Sequence, residues 1–343
     1  MGTGLRSLGT QILQHPFLLT APLAASAISM GFASQALLRP SAVSQQDDVL
    51  DALMAPAPER KPPAGTLLST GKASPPGSGL NPGSLQARRI GSVGGGAPVP
   101  EAEPGRGVNL EIRVALLKVS PQPSVGGEGA WRVVSRDGQL IRQGLPGEVQ
   151  AGDLLGALDE VWIETAPGTA GDLRVDGRPY AGRLRLLRAG SGVQVVNHLP
   201  LESYVSSVVG GEMPTSWKLE ALRAQAVAAR SYAMAHMARP ANDHWHLGDT
   251  TRWQNYEGLR TVSEPTLQAT SSTAGVILSY QGGIVESLYA ATQQIVDEAH
   301  SHLGASMSQT GAQELAQQGL RFNEILSHYY QGASLARLQV GAS

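Results

Sequence analysis

One helix-forming stretch constrains this chain most, because residues 217–237 contain neither glycine nor proline and are rich in alanine. A proline and turn-forming residues follow it from Arg239 onwards, and Ser216 is the predicted N-cap. The pattern predicts a long helix, packed closely against its neighbours through small side chains on one buried face. The residues that recur at helical spacing on this face are Leu219, Leu222, Ala226, Ala229 and Ala233.

A carboxylate stands directly before this helix, in the run Gly210-Gly211-Glu212-Met213-Pro214. A short apolar run ends in the two glycines, which allow backbone to approach a ligand closely. Pro214 biases Met213 towards an extended conformation. Glu212 is therefore predicted at a break between two elements, where functional groups often lie, and it is the leading catalytic candidate.

Two arginines of the helix, Arg223 and Arg230, are seven residues apart and so lie on nearly the same face. Two interpretations remain open. Either they form a solvated basic edge, or they are a pair of hydrogen-bond donors that face Glu212.

Composition excludes several classes of function. The chain has 343 residues, a formal net charge of -2 and no cysteine. A near-neutral charge argues against nucleic acid as a partner. The absence of cysteine excludes disulfides, thiolate catalysis and cysteine zinc sites, but it leaves the redox compartment undetermined.

The first hundred residues predict an exported protein. Pro16 to Leu38 carry no charge and are apolar or small, which is typical of a cleaved signal peptide or of a retained membrane anchor within residues 1–40. Residues 41–106 are rich in proline, glycine, alanine and serine, and they predict a disordered linker. The remaining domain spans residues 107–343.

This domain is predicted to be α+β, with a β-rich N-terminal part packed with a mixed α/β core that contains the long alanine-rich helix. Residues 107–196 alternate like strands, and Asp137-Gly138 and Asp176-Gly177 predict hairpin turns. The core, residues 197–338, is expected to contain five further elements after the long helix. These are a helix at 266–274, a hairpin of strands 276–281 and 284–289, and helices at 312–319 and 321–331.

The chain resembles the SpoIID/LytB family, which comprises stage II sporulation protein D and the amidase enhancer LytB. The resemblance extends over about residues 108–338. The motifs that carry it are Leu201-Glu202-x-Tyr204, Gly211-Glu212-Met213, Ala224-Gln225-Ala226-Val227-Ala228-Ala229-Arg230, Gln254-x-Tyr256-x-Gly258 and Ser306-Met307-Ser308-Gln309.

The resemblance implies a peptidoglycan lytic transglycosylase in which Glu212 is the single general acid and base and the products carry 1,6-anhydro-muramic ends. A desolvated glutamic acid stays protonated near neutral pH, as this role requires. The alternative is a non-catalytic amidase enhancer that binds peptidoglycan or a cell-wall amidase. Both imply the periplasm or cell envelope, with the protein either secreted or anchored.

Six substrate-binding residues are predicted around Glu212. These are Arg230, Gln254, Tyr256, Ser306, Ser308 and Gln309, and for most of them the alternative is a hydrogen-bonded loop. A hydrolase would need a second carboxylate, such as Asp249 or Glu298. Trp245 and Trp253 either stack on sugars or belong to the core.

No metal or organic cofactor is expected. His244/His246 and His300/His302 form two His-x-His pairs, and imidazole is a common zinc ligand. Some relatives bind zinc with a cysteine just before the Gln-x-Tyr motif, but Trp253 occupies that position here. A site made of histidines alone is the remaining alternative. The chain also departs from the family over Thr292 to Glu298, where many relatives have a Ser-Gly-Gly-x-Thr-like run.

Overall fold

A computed structural model of the protein describes residues 100–101, 108, 110–300 and 305–338. The predicted signal or anchor, and all of the predicted linker except residues 100–101, lie outside the described residues. The described part combines several sheets with several helices, so the α+β prediction is confirmed.

The β-rich part comes first, and six of its ten strands join a later strand, β11 (Leu247–Gly248), in one seven-stranded sheet with the order β11-β1-β10-β9-β6-β3-β4. Strand β1 pairs antiparallel with β10, which leads directly into the next helix. A second sheet has the order β5-β2-β7-β8. The strands are β1 (Glu111–Leu116), β2 (Ser124–Gly127), β3 (Trp131–Val134), β4 (Leu140–Gly144), β5 (Gly147–Gln150), β6 (Glu160–Thr165), β7 (Leu173–Val175), β8 (Arg178–Tyr180), β9 (Arg183–Ala189) and β10 (Gly192–Pro200).

Both predicted hairpin turns are present. Asp137-Gly138 connects β3 to β4, and Asp176-Gly177 connects β7 to β8. Asp176 and Gly177 both have positive φ, 47° and 75°, which is the requirement of a type I′ turn. The two Asp-Gly pairs that predicted turns in the sequence therefore form turns in the structure.

The remaining strands are short. They are β11 (Leu247–Gly248), β12 (Val276–Tyr280), β13 (Gly283–Ile284), β14 (Leu288–Ala290), β15 (Ser306–Ser308) and β16 (Ser334–Arg337). The helices of the described residues are α1 (Ala151–Leu155), α2 (Leu201–Glu212), α3 (Leu219–Ala238), α4 (Glu264–Ser272), α5 (Gln293–Ala299), α6 (Gln309–Gln317) and α7 (Phe322–Tyr329), with a 3-10 turn at Gly258–Thr261.

Helix α3 is the predicted alanine-rich helix, but it begins at Leu219 with Lys218 as its N-cap, rather than after Ser216. Its burial is also wider than the one face that was expected. The helix contacts α2, α4, α6, α7 and β12, and most of its residues are buried. Because alanine side chains are small, neighbours can approach the helix from several sides, and α3 forms the centre of the core.

Helix α2 was not predicted, since its sequence contains two glycines just before its last residue. A helical glycine costs about 1 kcal/mol relative to alanine. Here both glycines allow close contacts: a Cβ on Gly210 would lie 2.0 Å from the carbonyl oxygen of Thr261, and one on Gly211 would lie 2.4 Å from that of Asn255. The glycines therefore admit neighbouring backbone, rather than a ligand as the sequence indicated.

We expect Gly211→Ala to destabilise the protein, because the new methyl group must displace the backbone of Asn255. Overpacking of this kind costs about 1–3 kcal/mol. Gly152→Ala is the matched control, since this glycine also lies in a helix and a Cβ there would meet nothing within 4 Å. Urea unfolding should show a loss for Gly211→Ala only, and equal stability of the two variants would contradict the packing argument.

The last third of the domain departs from prediction mainly at element ends. The hairpin after α4 is shorter than expected, because the second strand is interrupted after Ile284 and resumes as β14, which pairs in parallel with β15. Helix α5 was not predicted, and α6 begins at Gln309 rather than at Ala312. None of the helices in the described ranges is long and apolar enough to cross a membrane.

Candidate active site

Glu212 is the last residue of α2, and Met213 after it is extended at φ −128° and ψ 145°. The side chain is half-buried and is held on both carboxyl oxygens. Oε1 accepts a hydrogen bond of 2.7 Å from the backbone N–H of Asn255, and Oε2 accepts a longer one of 3.4 Å from Nε2 of Gln309. The carboxyl group is thus fixed between a loop and the first residue of α6.

Burial raises the pKa of Glu212 above its ordinary value of 4.5. The two hydrogen bonds and the positive charge of Lys118 act in the opposite direction, but burial is the larger effect. The group therefore keeps its proton to higher pH than a solvated glutamic acid does. A carboxyl group in this state can act as a general acid.

Asn255 holds the loop against this carboxyl group through both ends of its side chain. Its Nδ2 donates to the carbonyl oxygen of Gly211 at 2.7 Å, and its Oδ1 accepts from Nζ of Lys118 at 2.6 Å. Lys118 also lies 3.5 Å from a carboxylate oxygen of Glu257. Sequence reasoning missed Asn255 and Lys118, although Asn255 lies between the two residues of the Gln-x-Tyr motif.

Gln309 is the predicted substrate-binding residue that contacts Glu212 directly. Its neighbour Ser308 is fully buried and caps α6, where its hydroxyl accepts from the N–H of Gly311 at 3.1 Å. Ser306 is also buried, and its hydroxyl lies 2.8 Å from Nδ1 of His300. For the two serines the structure favours the internal, hydrogen-bonded alternative over substrate contact.

The Gln-x-Tyr motif is likewise internal. Gln254 has no exposed surface, and its side chain bridges Tyr204 and Tyr289. The hydroxyl of Tyr256 donates to Oδ1 of Asn197 at 2.6 Å. We therefore assign Tyr256 to the core, and Gln254 to a buried network beside the site.

Arg230 has a structural partner instead of facing Glu212. It is fully buried and makes a two-pronged ion pair with Glu202, at 2.8 Å from Nε to Oε1 and 2.6 Å from NH2 to Oε2. Its NH1 donates to the carbonyl oxygen of Val276 at 3.0 Å. Arg223 pairs with Glu220 within the same helix. The two arginines therefore form neither a solvated basic edge nor a pair of hydrogen-bond donors that face Glu212.

Both candidate second carboxylates accept hydrogen bonds from other residues. Asp249 is buried and accepts a hydrogen bond of 2.9 Å from the backbone N–H of Leu117, so it fixes the end of β1. Glu298 is exposed and accepts from Gln294 one turn earlier in α5. Trp245 and Trp253 contact each other edge to face, with ring centroids 5.5 Å apart.

In the part of the chain that the structure describes, no cluster of three or more potential metal ligands occurs. Both ring nitrogens of His246 lie 3.0 Å from nitrogens of Arg113. Burial and this positive neighbour lower the pKa of His246 to about 3. His244 is exposed, and His302 lies outside the described residues.

Comparison with known proteins connects this site to a family. Residues 189–280 match the family model described as SpoIID, stage II sporulation protein. The Amidase enhancer of Bacillus subtilis is 34% identical over 102 residues, which cover 30% of this chain and 14% of that protein. Stage II sporulation protein D of the same organism is 34% identical over 114 residues, covering 29% and 33%. These matches confirm the resemblance that the motifs indicated.

An uncharacterised protein of Brachyspira hyodysenteriae is 36% identical over 118 residues, covering 34% of this chain and 32% of that protein. The chain thus spans a third or less of the length of each of these relatives. The similarity includes the segment that contains Glu212, since this residue lies within the range that the family model matches.

Proposed function

We propose that this chain, a member of the SpoIID/LytB family over residues 189–280, acts on the bacterial cell wall and cleaves peptidoglycan glycan strands as a lytic transglycosylase. Glu212 would be the single general acid and base. The observation that carries the proposal is the half-buried carboxyl group of Glu212, whose pKa burial raises.

The reaction needs one proton donor and no water. Glu212 protonates the glycosidic oxygen, and the bond from this oxygen to the anomeric carbon breaks, with an oxocarbenium-like centre at that carbon. The 6-hydroxyl of the same sugar then attacks the anomeric carbon and gives its proton to the Glu212 carboxylate. The products are a free 4-hydroxyl and a 1,6-anhydro-muramic end, and the enzyme recovers its proton.

We favour this single-carboxylate scheme over hydrolysis. A hydrolase requires a second carboxylate across the cleft. In the described residues, Asn255 and Gln309 are the hydrogen-bond partners of Glu212, whereas the predicted second carboxylates bind elsewhere. No cofactor enters the scheme, and glycan strands in the periplasm or cell envelope are the proposed substrate.

A second candidate function is favoured by the similarity to the Amidase enhancer. In that case the protein would bind peptidoglycan or a cell-wall amidase and would not cleave glycan itself. Substitution of Glu212 distinguishes the two candidate functions, because an enhancer does not need a general acid at this position.

The test incubates the full chain with purified glycan strands, with and without stem peptides, and identifies the products by mass spectrometry. Anhydro-muramic ends from the wild type, but not from Glu212→Gln, are the expected result. Reducing ends would show a hydrolase instead. No cleavage of either substrate by a folded protein would overturn the proposal and favour the enhancer.

We expect Lys118→Met to move the basic limb of the pH–activity profile to higher pH. The Lys118 charge lowers the pKa of Glu212, so its removal raises that pKa, and the protonated acid persists to higher pH. The measurement is kcat/KM against pH. Lys218→Met, at an exposed lysine, is the matched control. An unchanged profile for Lys118→Met, or a shift to lower pH, would contradict the electrostatic argument.

A further inference from the structure

We propose that Tyr289 is a further catalytic residue, whose hydroxyl group donates a hydrogen bond to an oxygen of the sugar bound against Glu212. This inference rests on the proposed function and adds a residue that the sequence motifs did not single out. The acceptor would be a hydroxyl or acetamido carbonyl oxygen beside the scissile bond.

The direction of the hydrogen bonds behind Tyr289 is fixed by one backbone carbonyl. The side-chain nitrogen of Gln254 lies 3.1 Å from the carbonyl oxygen of Ala229, which can only accept. The amide group therefore has one possible orientation, with Nε2 on this side and Oε1 on the other. It follows that Oε1 accepts from the hydroxyl of Tyr204 at 2.8 Å, and Nε2 donates to the hydroxyl of Tyr289 at 2.9 Å.

Because Gln254 donates to the oxygen of Tyr289, the hydroxyl group of Tyr289 still has its own proton to donate. Its oxygen is the acceptor of the bond from Gln254, so its own O–H points elsewhere. Within the described residues, the Tyr289 hydroxyl makes no hydrogen bond besides the one it accepts from Gln254. Tyr204 differs, because it is fully buried and already donates its proton to Gln254. Tyr289 keeps some exposed surface, unlike Tyr204, although its hydroxyl group lies deep, and we infer that this end of the network meets a bound molecule.

The fold places Tyr289 on a strand that pairs with the strand leading into Gln309. Strand β14 pairs in parallel with β15, which aligns Tyr289 with Met307 and Ala290 with Ser308. Gln309 follows at once and contacts Glu212 at 3.4 Å. Burial, followed by the negative charge of Glu212, raises the pKa of Tyr289. The phenol therefore stays protonated and available as a donor.

The test compares Tyr289→Phe with the wild type, using the full chain and purified glycan strands. Removing one preorganised donor lowers kcat on the order of 100-fold where it stabilises developing charge. Tyr256→Phe is the matched control, because it also removes one buried tyrosine hydrogen bond, but to Asn197 in the core. We expect a large fall in kcat for Tyr289→Phe and a normal kcat for Tyr256→Phe.

A binding measurement separates this inference from the proposed function. In a Glu212→Gln background, which does not cleave, Tyr289→Phe should weaken glycan binding about 3- to 10-fold. Cleavage and binding at wild-type levels by Tyr289→Phe would overturn the inference and leave the transglycosylase standing. Failure of the wild type to cleave would overturn the proposed reaction, and unchanged binding would then still exclude Tyr289 as a glycan contact. An equal loss in Tyr256→Phe would show a structural effect only.

Discussion

Glu212→Gln is expected to reduce glycan cleavage by about 10²- to 10⁴-fold, the usual contribution of a general acid. The glutamine side chain has the same shape and retains an oxygen that can accept from the N–H of Asn255. It has no proton of suitable acidity to give to the glycosidic oxygen. The measurement is the rate of appearance of anhydro-muramic ends on purified glycan strands.

The same substitution should not weaken the fold at neutral pH. The pKa of Glu212 is raised above 4.5 in the folded state, so its contribution to stability is complete below that value and is lost as pH rises through the folded pKa. Glutamine does not titrate. Urea unfolding at pH 4 and pH 7 should therefore show wild type losing stability, relative to the variant, at the higher pH.

Glu298→Gln is the matched control for both measurements. Glu298 is exposed on α5, and it is one of the carboxylates that a hydrolase would need. We expect normal cleavage from this variant. If the folded Glu212→Gln variant still cleaves glycan strands, Glu212 is not the general acid. Loss of cleavage in Glu298→Gln would point to a two-carboxylate hydrolase.

The sequence predicted those parts of the structure that depend on local chemistry. Asp176-Gly177 specified its turn through backbone conformations that few other residue pairs adopt. The alanine-rich helix was found because glycine and proline are absent over its whole length. The position of Glu212 at the end of an element followed from Pro214, which restricts the residue before it.

Other parts depend on contacts between distant segments, which local patterns do not reveal. Helix α2 tolerates Gly210 and Gly211 because the backbones of Thr261 and Asn255 approach there. Asn255 binds Glu212 through its backbone N–H, and any residue type except proline offers that group. Family motifs likewise cannot show whether a polar side chain faces a substrate or a buried partner, and Arg230 is the clearest example.

The buried pair of Arg230 with Glu202 leads to the second large expected effect, a loss of about 3–5 kcal/mol of unfolding free energy in Glu202→Ala. Arg230 is fully buried, so removing its partner leaves an uncompensated cation in the core. Glu202 also accepts from the N–H of Gly275 at 3.0 Å, so the variant leaves a second donor without its partner. Since the Glu202 side chain is 36% exposed, water can replace part of the lost interaction, and we expect the lower end of this range.

The matched control is Glu286→Ala, which breaks an ion pair of the same length. NH2 of Arg239 lies 2.6 Å from Glu286, as NH2 of Arg230 does from Glu202, but the Arg239 side chain is 63% exposed. A pair at the surface contributes about 0–1 kcal/mol, so we expect a much smaller loss of unfolding free energy in Glu286→Ala than in Glu202→Ala. If Arg230 bound substrate instead, as its position on the helix predicted, Glu202→Ala would unfold like the wild type and would change KM. A large loss of stability would show that this arginine holds α2, α3 and β12 together, and with them the end of α2 that carries Glu212.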